Sequence, residues 1–359
     1  MPATQASLTV DLDAVAANYD LMRRLAGAER IAPVVKADAY GLGLAPVARR
    51  LRAQGADRFF VARLAEGVAL RSILGADPTI YVLDGCPPDA AGRLIQARLT
   101  PVLNDLDQIR AWTYAGGGAA ALHVDTGLNR LGLRPQEAEA LAEDPISAGQ
   151  PNISLVLTHL ACASTPGHPM NLQQAQLFDQ VRALFPTAQA SLANSGALFQ
   201  DSAFILDMAR PGICLYGGGP YGSPDSRLAP VALFEAPVLQ VRLLPAGESI
   251  GYGAAFRADS SLSVAILAAG YADGVLRVQS PDGYGWLHGA PRRFLGRISM
   301  DLVAIDVSDC PAARAGDRVQ LIGPQIPVDE VAQSAGTISY EILTRIGTRV
   351  RRIYKGAGQ

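Results

Sequence analysis

The sequence predicts an α/β protein in which a parallel (β/α)8 barrel of the TIM type is followed by a mainly-β domain. Over the first two thirds of the 359 residues, short apolar runs alternate with segments of helical spacing, and eight such runs can be counted. Strands that alternate with helices form parallel sheets, and eight of them close a barrel. After a segment rich in Gly, Pro and Ser at 216–230, the chain becomes β-rich with short turns.

The eight candidate strands are short apolar runs at 31–36, 58–62, 79–84, 99–103, 121–125, 153–160, 188–195 and 204–213. Segments such as 43–56 and 171–185 between them have helical spacing. Asp105 and Pro135 are typical helix-start residues before two further helical segments. A doubly wound sheet is the alternative, but no candidate strand leads into a GxGxxG turn, so the pattern favours the barrel.

The change in texture divides the chain into a barrel domain at 1–226 and a β-rich domain at 227–359. Within the second domain, only 328–335 and 339–346 have helical spacing. Residues 1–10 include a strand-like run and could add a strand to this second domain.

The composition indicates a globular protein and excludes two classes of partner. Hydrophobic residues make up 49% of the chain, charged residues 18%, and the net charge is −2. Basic and acidic residues are mixed, so neither nucleic acid nor an anionic membrane surface is an expected partner. No signal peptide is recognisable, and the longest apolar stretch, at 262–272, is shorter than the roughly 20 residues that span a bilayer. We therefore expect a cytoplasmic protein.

The cysteines and histidines do not indicate a metal site. Cys86, Cys162, Cys214 and Cys310 include no CxxC pair, and the four histidines lack a spacing such as HExxH. The cysteines are expected to be reduced thiols.

Polar residues fall where the candidate strands end, and the carboxyl ends of barrel strands form one rim that carries active sites. They are Lys36, Asp125, Arg130, His159, Asn194, Ser195, Arg210 and Gly212. A lone lysine at a strand end is commonly just solvated. Tyr40 and the Gly41-x-Gly43 turn directly after Lys36 make a functional role about equally plausible.

Several segments together resemble the alanine racemases, fold-type III enzymes that use pyridoxal 5′-phosphate. The segments, in the order of that family, are "VVKADAYGLG", "HVDTGLNRLG", "THLACAS", "ANSGAL", "RPGICLYG", "SIGYGAAF", "AAGYADG", "GRISMD" and "SYEILTRIGTRVRR". They span nearly the whole chain. The resemblance implies a barrel plus a β domain, which agrees with the fold predicted from periodicity.

The resemblance implies that Lys36 holds the cofactor aldehyde covalently, which requires an amine with a pKa below the usual value of about 10.4. The other cofactor-binding residues it implies are Tyr40, His159, Asn194, Ser195, Arg210, Gly212, Ile213 and Tyr340. Arg210 would face the pyridine nitrogen. Because an arginine keeps its proton, that nitrogen would stay largely unprotonated, which favours racemisation over decarboxylation or transamination.

The resemblance further implies a two-base reaction in a homodimer with shared active sites. Lys36 would serve one face of the alanine α-carbon, and Tyr252 of the partner subunit the other. The substrate would be bound by Arg130, Tyr271, Met300 and Asp301. The product D-alanine would supply peptidoglycan.

One position departs from the family, because His123 stands where many members carry a carbamylated lysine that orients the arginine corresponding to Arg130. Histidine forms no such carbamate, so the acceptor that orients Arg130 is left open among chloride, water and a carboxylate, as is any part played by His123 itself. Three alternatives to an alanine racemase remain open from the sequence. They are a broad-specificity amino-acid racemase, a fold-type III decarboxylase and a non-enzymatic cofactor carrier with the same barrel.

Overall fold

The computed structural model describes residues 5–27, 31–143 and 151–356, and the chain divides into two compact units. The described residues of 15–215 form one unit. Those of 1–14 and 216–357 form the other. The first strand, β1 (Ser7–Asp11), therefore lies in the second unit, and helix α1 (Leu12–Ala26) leads from it into the first.

The first unit contains a parallel barrel. Its regular sheet has six strands in chain order, β2 (Arg58–Val61), β3 (Thr79–Val82), β4 (Thr100–Leu103), β5 (Ala120–His123), β6 (Ile153–Leu157) and β7 (Gln189–Ser191). Three parallel bridges complete the ring, namely Val34 with Phe60, Ile31 with Ala209, and Asn194 with Arg210. The barrel predicted from the sequence is confirmed.

The first and eighth barrel segments differ from the prediction in regularity. Continuous strands were expected at 31–36 and 204–213, but the structure has only isolated bridges there. Pro33 and Pro211 lie in these segments and have no N–H to donate to a ladder. Their carbonyls still accept, since Phe60 N bonds Pro33 O at 3.0 Å and Val34 N bonds Pro211 O at 2.9 Å.

Helices surround most of the barrel, and two of them begin as the sequence predicts. They are α3 (Leu44–Ala53), α4 (Leu64–Leu74), α5 (Ala91–Gln96), α6 (Leu106–Tyr114), α7 (Pro135–Glu143) and α8 (Pro169–Arg182), while the short segment α2 (Lys36–Tyr40) is mostly left-handed. The Asp105 carboxylate accepts the Gln108 N–H at 2.8 Å and caps α6, while α7 begins at Pro135. After β7 the connection has only the short 3₁₀ turns Ala197–Phe199 and Ser202–Phe204.

The second unit is built on an antiparallel barrel. Its strands are β8 (Ala232–Leu244), β9 (Ser249–Ile250), β10 (Phe256–Arg257), β11 (Leu262–Leu267), β12 (Tyr284–Leu287), β13 (Ala290–Leu295), β14 (Val303–Asp306), β15 (Arg318–Ile322) and β16 (Arg351–Lys355). The long β8 pairs with both β15 and β11, which closes the ring β8-β11-β14-β13-β12-β15. β1 extends it between β8 and β16. Two helices, α9 (Val328–Ser334) and α10 (Ser339–Thr344), precede β16.

Two kinds of feature are absent from the described residues. None of their helices is long and apolar enough to cross a membrane. They also contain no group of three or more His, Cys, Asp or Glu side chains arranged to hold a metal ion. None of the four cysteines forms a disulfide within the described residues.

Candidate active site

Lys36 begins a turn of unusual handedness at the rim of the barrel. Ala37, Asp38 and Ala39 have φ between 52° and 56° and ψ between 46° and 52°, and Tyr40 has φ 58°. This is the left-handed helical region, which L-residues avoid at a cost of roughly 1–2 kcal/mol each. Four consecutive non-glycine residues in this region therefore need support from their surroundings.

Two carboxylates provide that support. Glu66 Oε1 accepts the Ala37 N–H at 2.7 Å, while its Oε2 accepts those of Ala62 at 2.8 Å and Arg63 at 3.1 Å. At the far end of the turn, Asp38 Oδ1 accepts the Leu44 N–H at 2.7 Å. Glu66 thus joins the end of barrel strand two to the turn that starts at Lys36.

The surroundings of Lys36 favour its neutral amine. Burial is the main cause that lowers the pKa of Lys36, and the Arg130 cation lowers it further. Glu66 and Asp84 act in the opposite direction but less strongly. A lysine that loses its proton more readily can act as a nucleophile towards a carbonyl or as a base.

Tyr40, Ser195 and Gly212 meet to form a small cradle of hydrogen-bond groups. The Ser195 hydroxyl accepts the N–H of Gly212 at 2.9 Å and that of Cys214 at 3.4 Å. With its acceptor positions engaged, the hydroxyl hydrogen is left to donate. A Cβ on Gly212 would collide with the Tyr40 hydroxyl, so glycine is required for this approach. The cradle suits an anion such as a phosphate.

Arg210 is buried beneath this rim and held by two acceptors. One guanidinium nitrogen donates to Ser191 Oγ, and the other terminal nitrogen donates to the Thr158 carbonyl at 2.6 Å. The central guanidinium carbon of Arg210, Cζ, lies 6.0 Å from the centre of the Phe60 ring. Burial lowers the pKa of Arg210 to about 10, so the group stays protonated at neutral pH. Arg210 is therefore a fixed cation that donates hydrogen bonds and keeps its proton.

Two histidines near Arg210 are neutral. Burial, Arg210 and Arg130 lower the pKa of His159 to about 3. Burial and Arg210 likewise lower the pKa of His123 to about 4.

The tautomer of His123 follows from its partner. Asn104 Nδ2 donates to the carbonyls of Leu83 at 3.0 Å and Val102 at 2.8 Å, so the Asn104 oxygen faces His123 Nδ1 at 2.8 Å. Nδ1 must then carry the hydrogen. His123 Nε2 is consequently an acceptor.

The remaining barrel residues of the predicted site occupy the same rim. Asn194 pairs with Arg210 by a bridge, and its side-chain oxygen accepts the Ala197 N–H at 3.1 Å. Ile213 is buried at the start of a 3₁₀ turn directly after Gly212. Arg130 is exposed in the segment between β5 and α7.

Within the second unit, three of the predicted segments come together. The Tyr271 N–H bonds the Ser299 carbonyl at 3.0 Å, and the next N–H, of Ala272, bonds the Met300 carbonyl at 3.0 Å. A Cβ on Gly296 would lie 2.6 Å from the Ile250 carbonyl oxygen. The segments around 252, 271 and 300 therefore pack side by side.

Arg349 ties two of these segments to each other. It donates to both Asp273 oxygens at 2.6 and 2.8 Å and forms an ion pair with Asp301 at 2.8 Å. Asp273 Oδ2 also accepts the Gly270 N–H at 2.9 Å, which fixes the turn that carries Tyr271.

Several large side chains of this unit are exposed to solvent. Tyr252 is 70% exposed and Met300 53%, and Tyr271 and Tyr340 are also exposed. Tyr340 lies in the first turn of α10. Apolar exposure of this kind is typical of a surface that another molecule covers.

Sequence reasoning missed the residues that position this site. Ser191 accepts a hydrogen bond from Arg210, which lies 19 residues later in the sequence. Gln174 donates to the Thr126 hydroxyl and to the His159 carbonyl, which lie 48 and 15 residues earlier in the sequence. Glu66 has one local signal, since a glutamate in the first turn of a helix can accept the N–H of the residue three positions before it, as Glu66 does for Arg63.

Two family models match the chain over most of its length. The model described as alanine racemase, N-terminal domain, matches residues 10–220, and that described as alanine racemase, C-terminal domain, matches residues 231–354.

Curated relatives and solved structures agree with these matches. The catabolic alanine racemase of Mesorhizobium japonicum is 45% identical, with 99% of this chain and 94% of that protein covered. The alanine racemase of Rhodospirillum rubrum is 44% identical, with 98% and 96% covered. The crystal structure of alanine racemase from Bartonella henselae with covalently bound pyridoxal phosphate has a TM-score of 0.93 at 36% identity, covering 98% of this chain and 99% of that one.

Proposed function

This chain belongs to the alanine racemase family, and we propose that it interconverts L-alanine and D-alanine with pyridoxal 5′-phosphate as its cofactor. The observation that carries the proposal is the buried Arg210, protonated and held by Ser191 and Thr158 at the rim that also carries Lys36. A carboxylate at that position would favour decarboxylase chemistry, because it would keep the cofactor ring nitrogen protonated.

The barrel residues fit this cofactor. Lys36, with its lowered pKa, would hold the aldehyde. The hydroxyls of Tyr40 and Ser195 and the Ile213 N–H would hold the phosphate, and the Gly212 N–H would join them by exchanging Ser195 Oγ for a phosphate oxygen. The cofactor, when bound, supplies an electron sink for the charge left at the α-carbon when its proton is removed. Arg210 would donate to the ring nitrogen without giving up its proton, which limits that sink to simple proton exchange.

Two residues of the chain would move the α-proton. We propose that Lys36 Nζ acts on one face of the α-carbon and Tyr252 Oη of the partner subunit on the other, with the neutral His159 between the tyrosine and Arg210. Arg130, Tyr271, Met300 and Asp301 would bind the substrate.

The use of a partner subunit is supported by exposure. Tyr252, Tyr271 and Met300 lie on one unit as large solvent-exposed side chains. Most soluble oligomers are symmetric homo-oligomers, so a second copy of the chain is the partner proposed to cover them. We therefore propose a homodimer with shared active sites.

His123 has its own place in the proposal. Its Nε2 is an acceptor, and Arg130 is close enough to lower its pKa. We infer that this nitrogen, instead of a carbamate, is the acceptor available to the Arg130 guanidinium.

Chiral chromatography of the holoenzyme with L-alanine tests the activity. L-serine, L-lysine and L-arginine run in parallel separate an alanine racemase from a broad-specificity one. D-alanine should form fastest, and Lys36→Ala and Tyr252→Phe should each abolish it. Retained cofactor without inversion of any substrate would contradict the proposal.

Mixing the two inactive variants tests the shared site. A dimer with one Lys36→Ala and one Tyr252→Phe subunit has one site with both bases, so activity should return after subunit exchange. Absence of any recovery, although mixed dimers form, would show that both bases come from one chain.

We further propose that the protein acts in the cytoplasm and that its D-alanine supplies peptidoglycan. Expression in a bacterium that requires D-alanine should restore growth without the supplement, and the Lys36→Ala variant should not.

A further inference from the structure

Three reactive side chains of the second unit lie in a row of close polar contacts that the proposed racemase reaction does not use. They are Cys310, which follows β14, His288, in the two-residue turn between β12 and β13, and Asp317, which precedes β15. Cys310 Sγ lies 3.5 Å from His288 Nδ1, and His288 Nε2 lies 3.1 Å from Asp317 Oδ2. The order is nucleophile, base and orienting carboxylate.

Electrostatics favours one tautomer of His288. Asp317 Oδ2 accepts the Arg314 N–H at 3.0 Å and lies 3.1 Å from His288 Nε2, at ion-pair distance. A lone pair on Nε2 would face the carboxylate, so the neutral imidazole with its hydrogen on Nε2 is favoured. In that tautomer, the Nδ1 lone pair faces the Cys310 thiol.

Two of the other cysteines have different neighbours. Cys86 Sγ lies 3.9 Å from the Pro87 carbonyl, and burial raises the pKa of its thiol. Cys162 Sγ lies 3.9 Å from Met170 Sδ. Neither a carbonyl oxygen nor a thioether can take up a thiol proton at neutral pH.

We expect small reagents to reach Cys310 from the side of the histidine, because His288 is the more exposed of the two side chains. Cys310 itself is 6% exposed, but the His288 side chain beside it is 38% exposed. His288 lies at the tip of a hairpin and has φ 48°, a left-handed conformation that asparagine also adopts readily. Asparagine can therefore replace His288 without a change in the backbone conformation of the turn.

We propose that Cys310 is a thiol modification site that reacts with low-molecular-weight disulfides. His288 Nδ1 takes the thiol proton, and Cys310 Sγ attacks one sulfur of the reagent. The reagent's S–S bond breaks as a mixed disulfide forms on Cys310. The departing thiolate takes the proton from His288 Nδ1 and leaves as a thiol, so the Cys310 sulfur is oxidised and the leaving half is reduced.

The test is the labelling rate of each cysteine in the holoenzyme. The probe is 4,4′-dithiodipyridine, and peptide mass spectrometry locates the label over time. Cys310 should react first, ahead of the half-buried Cys162. His288→Asn should slow Cys310 by about 10-fold or more, since a positioned base contributes about 10²–10⁴-fold. Asp317→Asn should slow it less, and Cys162 should be unaffected in both variants.

Two results would overturn the assignment. Equal or faster labelling of Cys310 in His288→Asn would show that the histidine only covers the thiol. Reaction of Cys310 after Cys162 in the unsubstituted protein would show that the thiol is not activated, and this measurement decides the question even where a variant fails to fold. Alanine racemisation is a separate readout, so the result does not depend on the proposed function.

Discussion

Replacing Glu66 by Gln should loosen the left-handed turn that carries Lys36. Glu66 accepts three backbone N–H groups with its two oxygens, and a glutamine has only one oxygen to accept. The amide nitrogen would face either Ala37 or the pair Ala62 and Arg63, so at least one N–H loses its acceptor. Replacing one carboxylate oxygen by an amide nitrogen changes the size of the side chain very little. Any change in cofactor binding therefore reports the loss of hydrogen bonding and charge, not a loss of packing.

The expected magnitude follows from these bonds. A bond to a charged acceptor is worth about 1.5–3 kcal/mol when buried, and Glu66 is half-buried, so we expect about 2 kcal/mol. The left-handed conformation of the four residues in the turn costs about 4–8 kcal/mol. We therefore expect the turn to change conformation when the hydrogen bonds from Glu66 are weakened. Cofactor affinity should fall by up to about 30-fold, since 1.4 kcal/mol corresponds to a factor of ten.

Cofactor loading as a function of pH provides the assay. The Glu66 carboxylate raises the pKa of Lys36, so Glu66→Gln should lower that pKa further, and the loading rate should reach its plateau at a lower pH. The matched control is Glu137→Gln, because Glu137 accepts the Arg134 N–H at 2.7 Å at the start of α7. If Glu66→Gln loads cofactor like the control, with no shift in the pH midpoint, Glu66 does not position Lys36.

Three further changes test other parts of the structure. Ser191→Ala removes one acceptor of Arg210 and should lower kcat about 10-fold with little change in cofactor content, as steady-state kinetics and absorbance will show. Arg349→Gln removes the ion pairs with Asp273 and Asp301 and should raise the KM for alanine more than it lowers kcat. Because Arg349 is half-exposed, the free energy of unfolding should fall by only about 1 kcal/mol. His123 has a pKa of about 4 in the folded state, below its unfolded value of about 6.5. Its contribution to stability is therefore present above pH 6.5 and is lost as the pH falls towards 4. Between pH 6.5 and 4, the urea midpoint of unfolding should fall less steeply in His123→Gln than in the unsubstituted protein.

The alternation of the barrel elements and the starts of two helices were predictable from local patterns in the amino-acid sequence. Asp105 caps α6 and Pro135 begins α7 because these effects depend only on neighbouring backbone groups. The sequence also predicts that Lys36 lies at the end of a barrel segment, because apolar runs and turn residues are local features.

The neighbours of those residues, by contrast, are set by the folded chain. Nothing in "KADAY" indicates a left-handed turn, since its support comes from Glu66 on another helix. The tautomer of His123 depends on Asn104, 19 residues away, and Cys310 meets His288 only because the register of the second barrel places them together. Periodicity reports which face of an element is buried, but the partner of a buried polar group is set by strand order and register. Those are properties of the whole chain, because each bond joins residues that the sequence separates.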